Sequence, residues 1–160
     1  MAEWHQGIFT PKFPLKVLNT NSIYYRSSYE LRMMNYLDLN DNVIEWGSEL
    51  IIIPYINEVD GKPHRYITDF IATIKGNDGK TKKYILEVKP MNQCEQLNEK
   101  GELILPRPPK KKTAKALQNY LNKCNTIRKN HSKWSYAREF CKRNGLEWLV
   151  ITEQDLFPKG

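Results

Sequence analysis

The spacing of apolar residues predicts a helix early in the chain. From residue 27 to residue 37, apolar side chains recur at 29, 33, 34 and 37, a spacing that places them on one face of a helix. Ser27 or Ser28 can accept hydrogen bonds from the free backbone amides at its start. Glu30 falls one position off this apolar stripe, so we expect its carboxylate at the edge of the buried face.

Short segments rich in Ile and Val follow this helix, and turn residues separate them. The turn signals are Asp-Gly at 60–61 and Asn-Asp-Gly at 77–79. Pro90 ends the last segment, because proline cannot donate to a strand ladder. These features predict an antiparallel meander of three or four strands. The strand-like segments are 43–46, 49–56, 65–74 and 83–89.

The second half of the chain is expected to form two helices and a final strand. Three prolines interrupt residues 91–112, which predicts a loop or a small hairpin. Thr113 is placed to cap a helix of about 15 to 18 residues, and a second helix over 133–144 ends at Gly145. A strand over 146–151 follows. This order predicts an α+β fold with a central mixed sheet flanked by helices.

Length and composition indicate a single domain. The chain has 160 residues, and its first part carries prolines, glycine and weak periodicity, so we expect an N-terminal arm over 1–22 and one domain over 23–160. No run of eighteen apolar residues occurs, so no membrane-spanning helix is expected. Three scattered cysteines without a Cys-x-x-Cys pair indicate neither a disulfide framework nor a zinc site, and fit a reducing compartment.

Positive charge is concentrated in one third of the chain. The net charge is +7, but residues 107–143 hold twelve Lys or Arg and one acid, whereas the remainder has 13 bases and 17 acids. Most solvated helix faces mix both signs, so this asymmetry indicates a polyanionic partner such as DNA. The residues expected to contact the DNA backbone are Lys110, Lys111, Lys112, Lys115, Gln118 and Lys123.

Two acids and a lysine are expected to converge on the sheet. Glu87 and Lys89 are two positions apart in a strand and leave the same face. Pairing across the 77–79 turn brings Asp69 beside Glu87. Neighbouring carboxylates repel unless a cation lies between them, and their oxygens suit Mg²⁺, which Mn²⁺ can replace. Lys89 would orient or deprotonate an attacking water, or stabilise charge that builds up on phosphorus, so the set suits phosphodiester hydrolysis.

The Glu-x-Lys spacing has an ordinary alternative, a cross-strand salt bridge on a solvated sheet face. An upstream strand Asp, a preceding helix Glu and the basic region together favour the nuclease interpretation. Thr68-Asp69 followed by Leu86-Glu87-Val88-Lys89 resembles the PD-(D/E)XK nuclease signature, with threonine in place of the first proline. The resemblance implies that Asp69 and Glu87 bind a divalent metal and that Lys89 assists the water.

The same resemblance extends to further residues. Glu30 matches the additional acid that many members carry, which implies a catalytic metal ligand, bound directly or through water. Members often place a polar residue of the following helix near the acids, which here implies Lys115 and Gln118.

Longer segments resemble the head-completion nucleases of T4-like tailed bacteriophages, which are in turn similar to TnsA-type transposon-end endonucleases. The resemblance implies processing of DNA at the filled head before the tail joins, with phage head or neck proteins as partners. It also implies action in the host cytoplasm during assembly, with association with the virion as a further expectation. The matching segments are 25–30, 44–46, 53–55, 65–70, 87–90 and 151–153.

Two other functions compete with this one. A transposon-end nuclease would need a transposase partner, and the short chain disfavours it. A structural neck protein that binds DNA with little turnover belongs to a different class. The intact set of acids and lysine argues against that second alternative.

Overall fold

The computed structural model describes residues 6–157, so residues 1–5 of the expected arm and residues 158–160 lie outside the described part. Ten strands and three α-helices make up this part, with two single-turn 3-10 helices at Pro14–Lys16 and Met91–Gln93. In chain order they are β1 (Gly7–Phe9), β2 (Ile23–Tyr25), α1 (Ser28–Leu39), β3 (Val43–Ser48), β4 (Ile52–Asn57), β5 (Lys62–Ile67), β6 (Phe70–Lys75), β7 (Thr81–Val88), β8 (Gln96–Leu97), β9 (Leu103–Ile104), α2 (Ala114–Asn144), β10 (Glu147–Ile151) and α3 (Glu153–Leu156).

The central sheet has four strands in the order β10-β7-β6-β3. Strand β6 runs antiparallel to both β3 and β7, whereas β10 runs parallel to β7. A parallel neighbour requires a long crossover, and α2 supplies it. The predicted central mixed sheet is therefore confirmed.

Each face of this sheet is covered by a different helix. Leu86 lies in the core under α1, together with Met34. Ile85, one position earlier in β7, lies in the core under α2, together with Trp134. Successive side chains of a strand point to opposite faces, so β7 contributes to both cores. Strand β7 is therefore buried on both faces around Glu87.

The predicted helix over 27–37 is confirmed as α1, which spans Ser28–Leu39. Ser27 Oγ accepts a hydrogen bond from the Glu30 amide at 3.1 Å, which makes Ser27 the cap. The preceding segment packs against the same core, since β1 pairs with β2 and Phe9 contacts Trp46 with ring centroids 5.8 Å apart. The division of the chain at residue 22 stays a prediction.

The prediction of two helices after Thr113 is wrong, because α2 continues without a break through residue 144. Neither proline nor glycine lies between the two expected helices. The polar residues there are accommodated instead: Asn130 Nδ2 donates to the Gln93 carbonyl at 3.0 Å, and Ser132 Oγ donates to the Arg128 carbonyl at 3.1 Å. Gly145 ends the helix at a φ of 67°, as expected.

The single strand expected over 65–74 is two strands in the structure. Strand β5 pairs with β4 in a separate hairpin, and β6 pairs with β3 in the central sheet. The break falls at residues 68–69, where the chain passes from one sheet to the other. No helix between residues 6 and 157 combines the length and apolar character needed to cross a membrane.

Candidate active site

Asp69 lies where two strand pairs meet. The pairing of β3 with β6 ends at Ser48 and Phe70, and the pairing of β4 with β5 resumes at Ile52 and Ile67. Three residues on one side therefore lie opposite two on the other. Such an extra residue bends the strands and changes the direction of a side chain, which is why these irregularities often lie next to active sites.

Backbone contacts fix this junction. The Glu49 amide donates to the Asp69 carbonyl at 3.0 Å. Thr68 donates twice to the Ile51 carbonyl, from its amide and from its hydroxyl, each at 3.0 Å. The threonine that replaces the usual proline of the signature thus holds the two strands together immediately before the acid.

Asp69 and Glu87 face each other across β6 and β7. Phe70 pairs with Leu86, so the antiparallel register sets Asp69 level with Glu87. Asp69 Oδ2 accepts the Val88 amide hydrogen at 2.8 Å. Burial raises the pKa of both carboxyl groups, and the charge of Glu87 raises the pKa of Asp69 further. Two desolvated acids that are neighbours across a strand pair favour a shared proton or a bound cation.

Three other polar groups surround Glu87, which is only 4% exposed. Lys89 Nζ lies 3.7 Å from Glu87 Oε1, and the Tyr66 hydroxyl donates to Glu87 Oε2. Lys133 of α2 places its Nζ 5.3 Å from the centroid of the Tyr66 ring. Burial lowers the pKa of Lys133, and the neighbouring charges of Lys89 and Lys129 lower it further. Two lysines therefore flank the buried carboxylate.

Glu30 approaches the same site from the first turn of α1. Its Oε1 accepts the Arg26 amide hydrogen at 3.3 Å, and its Oε2 lies 3.4 Å from Ser27 Oγ. Burial raises the pKa of Glu30, and the negative charge of Asp69 raises it further. The structure therefore brings Glu30 into the same region as Asp69, Glu87 and Lys89.

The donor set suits a hard divalent cation held by two carboxylates. Mg²⁺ usually takes one or two protein carboxylates and keeps several waters, and the neighbouring carboxyl groups of Asp69 and Glu87 meet that requirement. Within residues 6–157, no three His, Cys, Asp or Glu side chains converge closely enough to hold a metal together. Glu30 does not complete a three-carboxylate cluster with them, so of its two expected modes the contact through water fits better.

The helix residue nearest the acids differs from the expected ones. Lys115 and Gln118 precede Lys133 by eighteen and fifteen positions, or about 27 and 22 Å along the helix axis. Lys133, rather than either of them, reaches the carboxyl pair. All six residues expected to contact DNA are exposed: Lys110, Lys111, Lys112, Lys115, Gln118 and Lys123.

Sequence reasoning assigned no role to Tyr66 and counted Lys133 only as one of the bases of the region 107–143. Tyr66 is the one buried residue of β5, and a buried phenol usually has a hydrogen-bond partner. Lys133 borders the buried stripe of α2 that includes Trp134 and Ala137. A lysine at the edge of an apolar stripe, within a long basic helix, was the available signal, but the expected break before residue 133 obscured that stripe.

The mixed sheet between two helices and the acid pair beside a lysine define a nuclease of the restriction-endonuclease-like class. Residues 40–153 match the family described as TnsA-like endonuclease N terminal. This span contains Asp69, Glu87, Lys89 and Lys133, and begins after Glu30.

A full-length relative adds to this match. Over 157 residues, 98% of this chain and 96% of the relative, the sequence is 30% identical to the head completion nuclease of Enterobacteria phage T4. The chain belongs to the TnsA-like endonuclease family and is an endonuclease of the PD-(D/E)XK type, a class that generally uses a divalent metal.

Proposed function

We propose that this protein is a Mg²⁺-dependent DNA endonuclease that processes DNA at the packaged head of a tailed phage. The observation that carries the proposal is the adjoining pair of carboxyl groups, half-buried Asp69 and buried Glu87, with the Lys89 amine 3.7 Å from the second. The name of the phage T4 relative supports the setting. Head or neck proteins would be the partners, and the host cytoplasm during assembly would be the place of action.

Asp69 and Glu87 are the residues that would hold a metal. Asp69 Oδ2 accepts from the Val88 amide, Glu87 Oε2 accepts from Tyr66, and Glu87 Oε1 lies 3.7 Å from Lys89 Nζ, so both carboxyl groups are held in place. A Mg²⁺ ion bound there would supply Lewis-acid polarisation of a phosphate oxygen and a more acidic water; Mn²⁺ offers the same chemistry. We assign Glu30 to the outer edge of this site, where it would hold a water of the metal.

Lys89 is assigned to the attacking water. Its Nζ is too far from Glu87 Oε1 for a strong hydrogen bond, and its side chain is 23% exposed. The ammonium group can therefore donate to a water or to a phosphate oxygen that enters from solvent. In that position it would orient the nucleophile and offset the negative charge that builds up on the phosphate.

The basic residues are assigned to the DNA backbone. A site built from acids repels phosphates, so cations beside it are needed to hold the duplex. Lys133 lies next to the acids and would contact the phosphate nearest to the cut. The exposed residues farther along α2 and in the loop before it would hold the flanking DNA: Lys110, Lys111, Lys112, Lys115, Gln118 and Lys123.

Cleavage assays test the enzyme. Purified protein is incubated with supercoiled, linear and branched DNA in EDTA, Mg²⁺ or Mn²⁺, alongside Glu87→Gln and Lys89→Ala. We expect metal-dependent cutting that both substitutions reduce by about a hundred-fold or more. The matched control is Lys80→Ala, at the far hairpin, which should cut as the parent does. Failure to cut any of these DNAs, together with strong salt-sensitive binding, would favour the structural neck protein instead.

An assembly assay tests the phage setting. Filled heads made without functional protein are mixed with tails and with either parent protein or Glu87→Gln, and infectious particles are counted. The parent should restore infectivity and Glu87→Gln should not. If the parent and Glu87→Gln restored infectivity equally, the role in head completion would not require DNA cutting, and DNA at the packaged head would no longer be the proposed substrate.

A further inference from the structure

We propose that Arg26 binds a DNA backbone phosphate beside the cut site, and that Glu49 occupies the Arg26 guanidinium until DNA displaces it. This inference rests on the proposed nuclease function and adds to it a specific phosphate-binding residue with a built-in competitor. It concerns a side of the site that the Lys133 helix does not reach.

The side chains of Arg26 and Glu49 form an ion pair close to the acids of the proposed metal site. Arg26 Nη1 contacts Glu49 Oε1, and Nη2 reaches Glu49 Oε2 at 3.5 Å. The Arg26 backbone is tied to Glu30, and the Glu49 amide is tied to the Asp69 carbonyl at 3.0 Å. Both partners of the ion pair are therefore hydrogen-bonded, through their own backbone amides, to acids of the proposed metal site.

Glu49 has an unusual backbone conformation. Its φ is 56°, and between residues 6 and 157 it is the one non-glycine residue with a positive φ. Residues other than glycine are disfavoured at positive φ, and such strained conformations concentrate at functional sites. The extra residue at the β3–β4 junction imposes this conformation, and with it the placement of the carboxylate opposite Arg26.

A role in stability explains the pair poorly. The side chains are 53% and 37% exposed, and ion pairs at that exposure contribute little to folding. Both are also easy to separate, because water can replace either partner. A guanidinium already oriented by a two-oxygen acceptor is, however, well suited to a phosphate, which offers the same fork of oxygens with more charge.

Arg26 and Lys133 come from different sides of the fold, since Arg26 precedes α1, which packs in the Leu86 core, and Lys133 belongs to α2, which packs in the Ile85 core. The hydrogen bond and charge of Glu49 raise the pKa of Arg26, and the charges of Glu30 and Asp69 raise it further. Lys133 interacts with Glu87 and Asp69 from the α2 side. Cations from α2 and from the segment before α1 thus lie on both flanks of the acids, which is the arrangement needed to hold a phosphodiester chain across a negative site.

Binding measurements in EDTA, where the proposed enzyme does not cut, test the inference. Arg26→Ala should weaken DNA binding about ten-fold and reduce the slope of log affinity against log salt by about one. Arg26→Lys should recover only part of the affinity, because the ammonium lacks the fork. Glu49→Gln and Glu49→Gly should tighten binding about two- to five-fold. Glycine accepts the positive φ, so that variant also guards against loss of fold.

The double variant decides whether Glu49 acts through Arg26. In the Arg26→Ala background, Glu49→Gln should change affinity no more than Glu139→Gln does. Glu139 is the matched control because it also neutralises one acid of an exposed Arg–Glu pair, with Arg143 at 3.2 Å. An undiminished Glu49→Gln effect in that background would overturn the competition between Glu49 and DNA.

Cleavage in Mg²⁺ separates this inference from the proposed function. Unchanged affinity and salt slope in Arg26→Ala, while Glu87→Gln still abolishes cutting, would overturn the inference and leave the nuclease intact. The expected binding changes in a protein that cuts no DNA would overturn the proposed function and leave Arg26 as a phosphate-binding residue.

Discussion

The Tyr66 hydroxyl donates a hydrogen bond to Glu87 Oε2 inside the fold, and both residues are almost fully buried, at 2% and 4% exposure. The bond joins the β4–β5 hairpin to the central sheet. Burial and then the negative charge of Glu87 raise the pKa of Tyr66, so the phenol stays a neutral donor at any working pH. The acid of the Glu-x-Lys pair is thereby held in one orientation, with its other oxygen toward Lys89.

Tyr66→Phe removes this donor and should move the pH dependence of cleavage. Burial raises the pKa of Glu87, whereas Lys89 and the Tyr66 hydrogen bond lower it, so loss of the hydroxyl should raise that pKa. The acidic limb of the rate profile should therefore shift to higher pH, with about 1–3 kcal/mol less stability at neutral pH. Rate profiles and urea unfolding measure the two effects. Tyr24→Phe, on an exposed tyrosine, is the control, and a profile identical to its own would contradict the assigned contact.

Asp69→Asn should stabilise the metal-free protein at neutral pH. The native pKa of Asp69 lies above its unfolded value, so its favourable contribution is complete below about pH 4 and is lost as pH rises through the native pKa. Because the raised pKa sets the sign, we expect the variant to have a higher free energy of unfolding than the parent at pH 7 and a smaller advantage at pH 4. Asparagine can still accept from the Val88 amide. Urea unfolding in EDTA at pH 4 and pH 7 measures the free energy of unfolding of both proteins. A variant less stable than the parent at pH 7 would contradict the unfavourable burial of the Asp69 charge beside Glu87.

Mg²⁺ should raise the melting temperature through the same acids. A ligand that binds only the folded state at a hundred times its Kd adds about 2.7 kcal/mol of stability. The gain should shrink as pH falls, because protons compete for carboxyl groups whose pKa is raised. Melting curves of the parent, Asp69→Asn and Glu87→Gln across Mg²⁺ concentrations test this. Glu139→Gln should respond as the parent does, and an equal Mg²⁺ response in Glu87→Gln would place the metal elsewhere.

The sequence contained enough information for most of the elements and for the neighbouring positions of Asp69, Glu87 and Lys89. Because side chains alternate along a strand, Glu87 and Lys89 lie on one face. The hairpin that joins the two strands brings Asp69 beside them, so local geometry is enough to predict this arrangement. The α1 helix was also predictable, since an apolar stripe and a Ser cap agree. The α1 helix and the positions of the two acids and the lysine depend on interactions within short stretches of sequence, which is why sequence patterns predict them.

What local rules missed depends on contacts between distant segments. The unbroken α2 helix relies on Asn130, whose amide bonds to Gln93, 37 positions away in sequence. The strand break at Thr68 arises from two bonds to the Ile51 carbonyl. Asn, Ser and Thr favour turns when considered alone, and only the tertiary partner reverses or redirects that preference. Lys133 was missed for the same reason, because its neighbours come from β5 and β7.

Lys133→Ala should lower kcat/KM about ten- to a hundred-fold, a loss of about 1.4–2.7 kcal/mol in transition-state binding. Its Nζ lies against the Tyr66 ring and near the carboxyl pair, where burial removes the water that would otherwise screen it. Lys129, one turn earlier on the same helix, is exposed, and Lys129→Ala should change kcat/KM by less than about two-fold. Lys133→Arg should restore part of the rate, because the charge is kept. Equal losses in Lys133→Ala and Lys129→Ala would reduce both residues to general attraction for DNA, and then the salt dependence of kcat/KM would account for the whole effect.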